Sequence, residues 1–152
     1  MRLLATIIFS SCILFNNNLT AEALDPNQPQ VINHSDLKSF INQGNSLTGV
    51  ATPSLGATDC EVWHSRIAPH SCTPLYQHET QEIFIFLKGE GKAIVGTEEI
   101  FFKAPCTLLL PPNIPHQIFN IGDEPSEQIV ILKSEAGIYT MQGDPMQLPW
   151  RR

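Results

Sequence analysis

The sequence has little positive charge and few cysteines. Nine Lys and Arg residues stand against fifteen Asp and Glu residues, which gives a formal net charge of −6, and the basic residues form no stripe. Nucleic-acid-binding surfaces need clustered Lys and Arg, so the charge argues against that class of partner. Four cysteines are too few for a disulfide scaffold, and without a CxxC pair a structural zinc knuckle is unsupported.

The apolar run near the N-terminus is too short to span a bilayer comfortably. Arg2 precedes the apolar residues 3–15, and an Ala-Glu-Ala sequence follows at residues 21–23. A positive start, a short apolar run and an A-x-A site are typical of a secretory signal peptide. We therefore expect residues 1–23 to be a signal peptide. The mature chain is then exported (periplasmic or secreted) and has no membrane span after cleavage.

Export would place the remaining cysteines, Cys60, Cys72 and Cys106, in an oxidising environment. One disulfide is then permitted, and one thiol is left over. The alternative, which we favour, is that all three are small buried hydrophobic side chains.

Twelve prolines and nine glycines, many beside Asn or Asp, predict a chain with many turns. Short strand-like runs lie between the turns, at residues 47–50, 60–67, 75–78, 82–87, 92–95, 98–102, 107–110, 117–121 and 128–133. Short strands at this spacing predict an all-β fold, an antiparallel sandwich or a single small β-barrel. One short N-terminal helix is also predicted over residues 36–43, with Ser35 as its cap and Gly44 as its stop.

The length of 152 residues suits one domain. After the signal peptide we expect an N-terminal arm with the short helix at residues 24–58. A β-barrel core follows at residues 59–134, and a less periodic C-terminal tail at residues 135–152.

The run Ile-Phe-Ile-Phe-Leu at residues 83–87 does not alternate apolar with polar side chains. A strand that is apolar on both faces must be covered on both faces. One face fills the barrel, and the other meets the helix, a second layer or a partner subunit. We therefore expect a homodimer.

Two imidazoles and a carboxylate flank this run, namely His78, Glu82 and His116. Zinc prefers nitrogen and oxygen donors of this kind, and iron, nickel and copper accept them. Residues at i and i+2 on a strand share a face, so Tyr76 and His78 point the same way. Four residues of straight strand span about 13 Å. A bend near residues 79–81 is therefore required if Glu82 and His78 are to share one ion.

The spacing of these residues resembles the two motifs of the cupin family. His78-x3-Glu82-x6-Gly89 is similar to the second half of the first motif. Pro111-x-Asn113-x2-His116-x3-Asn120 is similar to the second motif. The resemblance covers residues 60–133 and implies a jelly-roll β-barrel that is commonly dimeric. It also implies one divalent metal ion (iron, manganese, nickel, zinc or copper) on His78, Glu82 and His116.

Three positions depart from the cupin motifs. Tyr76 stands where the first motif has its first histidine, and Pro105 and Asn113 stand where the second motif has glycines. Asn113 is a mild change, because Asn tolerates left-handed backbone better than most residues. A phenol is a poor neutral ligand, but it can bind a ferric ion as phenolate or donate a proton. Tyr76 is therefore the candidate acid/base, and three protein ligands leave open positions of the kind that a catalytic metal uses.

Phe84, Phe86 and Ile118 share the face of the ligands and are expected to line an apolar pocket. The predicted function is the binding of one divalent metal and a small organic ligand, with an oxygenase, isomerase or lyase reaction as its catalytic form. The alternative is a metal-free protein that binds a sugar or another metabolite without catalysis. A structural or partner-binding secreted domain is the third reading. His70 replaces the missing ligand only if its loop folds inward.

Overall fold

The computed structural model describes residues 28–151, and the predicted signal peptide lies outside this range. The regular secondary structure of the described chain consists of strands and two single 3-10 turns, His34–Asp36 and Pro53–Leu55. The strands are β1 (Phe40–Asn42), β2 (Asn45–Ala51), β3 (Cys60–Ile67), β4 (Gln77–His78), β5 (Glu82–Lys88), β6 (Glu90–Val95), β7 (Glu98–Lys103), β8 (Cys106–Leu110), β9 (His116–Asn120), β10 (Ser126–Lys133) and β11 (Ile138–Tyr139).

The strands form two main antiparallel sheets and one small one. The larger sheet has the order β1-β2-β3-β10-β5-β8, the second β7-β6-β9, and β11 pairs with β4. Antiparallel strands joined by short turns and long crossovers are typical of a jelly roll. The predicted all-β antiparallel class is confirmed, and the predicted strand bounds lie within two residues of the observed ones for most strands.

The core lies between the two main sheets, where alternate side chains of each strand point inward. Phe84 and Phe86 of β5 stack with ring centroids 5.7 Å apart, and Phe86 stacks on Phe102 of β7 at 4.0 Å. Ile118 of β9 and Val130 of β10 are completely buried in the same cluster. The face of β5 that carries the predicted ligands is therefore the inward face.

The helix predicted over residues 36–43 is wrong. The 3-10 turn His34–Asp36 ends before it, and Phe40–Asn42 pairs with β2 as a hairpin. The two turn residues, Gln43 and Gly44, have φ values of 50° and 82°. Two successive positive φ values make the tight turn that matches the twist of paired strands. An isolated helix of two turns is marginal in water, so the paired hairpin is the more stable structure for this segment.

Within residues 28–151, neither helical turn has the length and apolar character needed to cross a membrane.

Candidate functional site

The predicted bend between His78 and Glu82 is formed. β4 ends at His78, the chain turns through residues 79–81, and β5 begins at Glu82. The backbone N–H of Asn113 donates to the His78 carbonyl at 2.8 Å, and Asn113 has the left-handed φ of 58° that a glycine would supply. The second motif thus fixes the strand end that carries the first motif's histidine.

His116 begins β9, directly beside Tyr76. The two residues form an isolated antiparallel bridge in which His116 N donates to Tyr76 O at 2.9 Å and Tyr76 N donates to His116 O at 3.2 Å. Their rings meet edge to face with centroids 4.4 Å apart. The structure therefore brings Tyr76, His78, Glu82 and His116 together at the end of the core.

The carboxylate of Glu82 lies between the two imidazoles. Its Oε2 is 3.1 Å from His78 Nε2 and 3.4 Å from His116 Nε2, and one ligand atom from each residue lies within 4.8 Å of the other two. All three residues are fully buried. Donors that share one zinc ion through bonds of about 2.0–2.2 Å are themselves about 3.0–3.6 Å apart, so the spacing suits a single ion.

The outer nitrogen of each imidazole is held by the backbone. His78 Nδ1 hydrogen-bonds the carbonyl oxygen of Thr80, and His116 Nδ1 hydrogen-bonds that of Ile114 at 2.9 Å. A carbonyl oxygen only accepts, so each Nδ1 carries the proton. In a neutral ring the lone pair is then on Nε2, the atom that faces the carboxylate. Backbone bonds of this kind orient metal-binding histidines in proteins.

Three electron-rich donors that face one another repel unless a cation or protons lie between them. Glu82 Oε1 and His116 Nε2 are buried and have no hydrogen-bond partner among the described residues. A buried polar atom without a partner costs about 1–3 kcal/mol, more if it is charged. A divalent cation would satisfy both atoms. The residues present therefore fit a metal ion.

Burial raises the pKa of Glu82; where protons on His116 Nε2 and His78 Nε2 take the place of a cation, their hydrogen bonds and charges outweigh burial, and the pKa lies below its ordinary value. Burial, and then the neighbouring Glu82 carboxylate, raise the pKa of Tyr76 well above its ordinary value. Tyr76 is consequently a neutral phenol, and its hydroxyl donates to Glu82 Oε2 at 3.1 Å.

An apolar cavity of about 340 Å³ opens beside this cluster, with Tyr76 and Glu82 in its wall. Of the three predicted pocket residues, only Phe84 lines it. Phe86 and Ile118 do point inward, but they are completely buried in the core between the sheets and do not reach the cavity wall. Strand parity identifies the inward face, but it does not say how deep along the strand the cavity ends.

No pattern in the C-terminal segment indicated that it builds part of this site. Ile138 of β11 pairs with His78, and residues 146–149 form one wall of the cavity. Trp150 Nε1 and Arg151 Nε donate to the fully buried Glu61 at 2.8 and 2.9 Å. Glu61 shares the inward face of β3 with three apolar or small residues. A buried carboxylate is costly unless it is paired, so its position in the strand could have predicted a buried cationic or hydrogen-bonding partner.

Two other expectations concern residues outside the cluster. His70 hydrogen-bonds Asp123 at 3.0 Å on the surface, so its loop does not fold inward to replace the missing ligand. The cysteines within the described chain, Cys60, Cys72 and Cys106, all have free thiols, and their side chains are partly rather than fully buried.

A family model described as Cupin domain matches residues 63–132. The chain therefore belongs to the cupin superfamily, as the two motifs indicated. Auxin-binding protein T85 of Nicotiana tabacum is 31% identical over 134 residues, which cover 80% of this chain and 72% of the relative.

Solved structures agree on the fold. The polyketide cyclase RemF from Streptomyces resistomycificus has a TM-score of 0.63 and 16% identity, with 75% of this chain and 86% of that chain covered. Oxalate decarboxylase from Lactobacillus farciminis, in a formate complex, has a TM-score of 0.65 and 22% identity, with 70% and 34% covered. At these identities the likeness shows the fold alone.

Proposed function

We propose that this cupin is a metal-dependent binding protein for a small apolar organic anion. One divalent ion is held by His78, Glu82 and His116, and the ligand occupies the adjoining cavity. The observation that carries the proposal is the buried Glu82 carboxylate, which has two backbone-oriented imidazoles on one oxygen and, within residues 28–151, no partner on the other. Glu82 also lies in the cavity wall, so a ligand there reaches the same point.

The walls of the cavity indicate the chemistry of the ligand. They are mainly apolar, with Leu47, Trp63, Phe84, Ile138 and Leu148 as the large side chains. An apolar wall favours an apolar body. A divalent cation at the Glu82 end would favour a carboxylate or a similar anionic group. The relative named as an auxin-binding protein supports a small organic ligand.

Metal analysis tests the centre directly. Protein purified without chelator is expected to contain about one divalent ion per chain, and chelation is expected to lower its melting temperature because the ion binds only the folded state. The His78→Ala/His116→Ala variant should lose both the ion and the chelator effect.

His64→Ala/His70→Ala is the matched control, because it removes two imidazoles that lie outside the cluster. Substoichiometric metal that does not fall further in the His78→Ala/His116→Ala variant would instead support the metal-free binding protein.

Tyr76 supports a second candidate function, an enzyme. Its hydroxyl is a neutral proton donor in the cavity wall, 3.1 Å from Glu82 Oε2. A bound divalent ion would supply Lewis-acid or oxygen-activating chemistry for an oxygenase, isomerase or lyase reaction. Turnover of a bound ligand that Tyr76→Phe abolishes without weakening its binding would establish the enzyme; unchanged ligand after long incubation would leave binding as the function.

We also propose a homodimer through the outer face of the larger sheet. Ile83 and Ile85 of β5 are flanked there by Leu109, Ile129 and Ile131 of the neighbouring strands, and Leu109 is 56% exposed. Both signs of charge border this patch, where Lys88 and Arg66 meet Glu127. A patch of this composition suits a two-fold contact with its own copy. Light scattering should give a dimer mass that Leu109→Lys halves; a monomer mass at micromolar concentration would contradict the proposal.

Export completes the proposal and rests on the pattern of residues 1–23. Expression of the whole chain with a C-terminal tag is expected to give a processed product outside the cytoplasm, whose N-terminus lies near residue 24.

A further inference from the structure

One hydroxyl of the cavity wall has unused hydrogen-bonding capacity. Ser65 lies on the inward face of β3, is 5% exposed and lines the cavity. Ser65 pairs across the sheet with Gln128 of β10, which in turn pairs with Phe86 of β5. Glu82 of β5 instead lies in the same row across the three strands as Glu61 of β3. Ser65 therefore lies two strands across and four residues along from Glu82. It is therefore a polar group of the cavity wall that lies well away from the metal centre.

A buried amide holds this hydroxyl in place. Gln128 is completely buried behind the cavity wall, and its Nε2 donates to Ser65 Oγ at 3.0 Å. Ser126 Oγ donates to the oxygen of the same amide at 3.2 Å. A buried amide is costly unless it is hydrogen-bonded, and here both of its ends are engaged. The side chain of Ser65 is thus fixed from behind by a rigid partner.

The bond from Gln128 decides which part of the hydroxyl remains available. Because Ser65 Oγ accepts the amide hydrogen, its own hydrogen is free to donate. No acceptor for that hydrogen is found among the described residues, and the neighbouring wall residues Trp63 and Ile67 offer apolar surface. The cavity is therefore where an acceptor for this hydrogen can be placed.

We propose that Ser65, positioned by Gln128, is the second recognition point of the cavity. It donates a hydrogen bond to a carbonyl or ether oxygen at the far end of a ligand whose anionic head lies at Glu82. The inference rests on the proposed ligand-binding function and adds to it the polarity of the ligand's other end. Gln128 is a positioning residue, since it acts through Ser65.

The sheet geometry sets the length of such a ligand. Two strand spacings of about 4.8 Å and four residues of about 3.4 Å separate the two backbones by about 16 Å in a flat sheet. The side chain of Glu82 and a bound ion occupy part of that span. A ligand of about 10–12 Å therefore reaches both ends, which is the length of a substituted biphenyl carboxylate.

The test uses two ligands of the same shape, 4′-acetylbiphenyl-4-carboxylate and 4′-isopropenylbiphenyl-4-carboxylate. The first has a carbonyl oxygen where the second has a methylene group. Titration calorimetry with the zinc-loaded full chain should show that the acetyl ligand binds about 5- to 10-fold more tightly, the ratio that one net hydrogen bond gives. Ser65→Ala should remove this preference and leave the affinity for the isopropenyl ligand within about twofold.

Ser126→Ala is the matched control, because it also removes a buried hydroxyl from Gln128 but lies outside the cavity and keeps the bond to Ser65. It should retain the preference. Ser65→Cys, which keeps the volume and weakens the donor, should lose the preference even if Ser65→Ala folds poorly. Gln128→Met should lower the preference for the acetyl ligand. If the amide were merely structural, this variant would lower the melting temperature and leave the preference unchanged.

The outcomes separate the two proposals. If both ligands bind wild-type protein and the Ser65 variants keep the preference, the inference about Ser65 is wrong and the proposed function stands. If wild-type protein shows no preference for the acetyl ligand, the inference is equally wrong. If neither ligand binds at millimolar concentration, the proposed ligand class is wrong, and the inference fails with it.

Discussion

The buried ion pair that anchors the C-terminal wall gives the sharpest prediction about stability. Glu61 is fully buried and receives hydrogen bonds from Trp150 Nε1 at 2.8 Å and Arg151 Nε at 2.9 Å. Arg151 Nη1 also donates to the Ala136 carbonyl at 2.8 Å, and the side chain of Arg151 is 14% exposed. Glu61→Leu would leave a nearly buried guanidinium without its anion, in a pocket that cannot hydrate it fully.

Removal of one partner of a buried pair destabilises by about 3–5 kcal/mol, and the remaining exposure of Arg151 favours the lower end. In a domain of this size each kcal/mol lowers the melting temperature by about 4 °C, so Glu61→Leu should lower it by about 12 °C. The double variant Glu61→Leu/Arg151→Met removes both charges. The N–H groups of Trp150 and Glu135 then lose their acceptor and the Ala136 carbonyl loses its donor, but no charge is left buried. Its cost should be about 2 kcal/mol, below that of the single variant.

Urea unfolding followed by circular dichroism measures both variants, and the fluorescence of Trp63 and Trp150, whose rings lie 5.7 Å apart, reports on the wall itself. If the unpaired buried charge causes the loss of stability, the double variant must be more stable than the single variant. A double variant that is as unstable as Glu61→Leu would show that the C-terminal wall depends on packing or on Trp150, and the charge-pair argument would be refuted.

Three further predictions concern the site and its frame. Because the pKa of Glu82 is lowered in the folded protein, its contribution to stability is present above the ordinary carboxyl pKa and is lost as the pH falls through the folded value. Below about pH 5, metal-free protein should therefore lose stability more steeply than Glu82→Gln as the pH falls. Equal slopes in urea titrations would contradict this. Tyr76→His adds an imidazole beside the cluster and should tighten zinc binding about tenfold or more, whereas Tyr76→Phe should not, as calorimetry can show. A Cβ on Gly91 would lie 2.2 Å from the Phe119 carbonyl oxygen, so Gly91→Ala should lower the free energy of unfolding in urea by about 2 kcal/mol or more. Gly122→Ala, whose Cβ has ordinary contacts, should lower it by less than about 0.5 kcal/mol.

Local patterns predicted most of the strands because each strand's signal is contained within it. The strand predicted at residues 60–67 has the bounds of β3, Cys60–Ile67, and the run from Glu82 became β5. The helix predicted over residues 36–43 was wrong because the deciding interaction lies outside that segment. Its apolar spacing allowed a helix, but the pairing of β1 with β2 outweighed this weak local preference.

The candidate ligands were found because a motif with fixed spacing combines three residues in one signal. An apolar pocket was predicted, but apart from Phe84 its walls were not, because they come from segments that are distant in sequence. Ile138 meets His78 across 60 residues, and residues 146–149 show no periodicity that predicts a wall. Ser65 and Gln128 are 63 residues apart, and no pattern on either strand announces their hydrogen bond.

Tyr76 affects the site through its hydrogen bond to one carboxylate oxygen of Glu82. Its phenol donates to Oε2, the same atom that faces both imidazoles, and Oε1 has no partner in the described part of the chain. Tyr76 occupies the position of the first histidine of the cupin motif. Because burial and the Glu82 carboxylate keep its phenol protonated, it donates a hydrogen bond to Glu82. A donor on Oε2 stabilises the carboxylate in its charged form, and it fixes the plane in which Oε1 is presented. Replacement of a fourth ligand by a donor would therefore weaken the hold on a divalent ion at this site and leave one more position for an organic anion, which agrees with the proposed binding function.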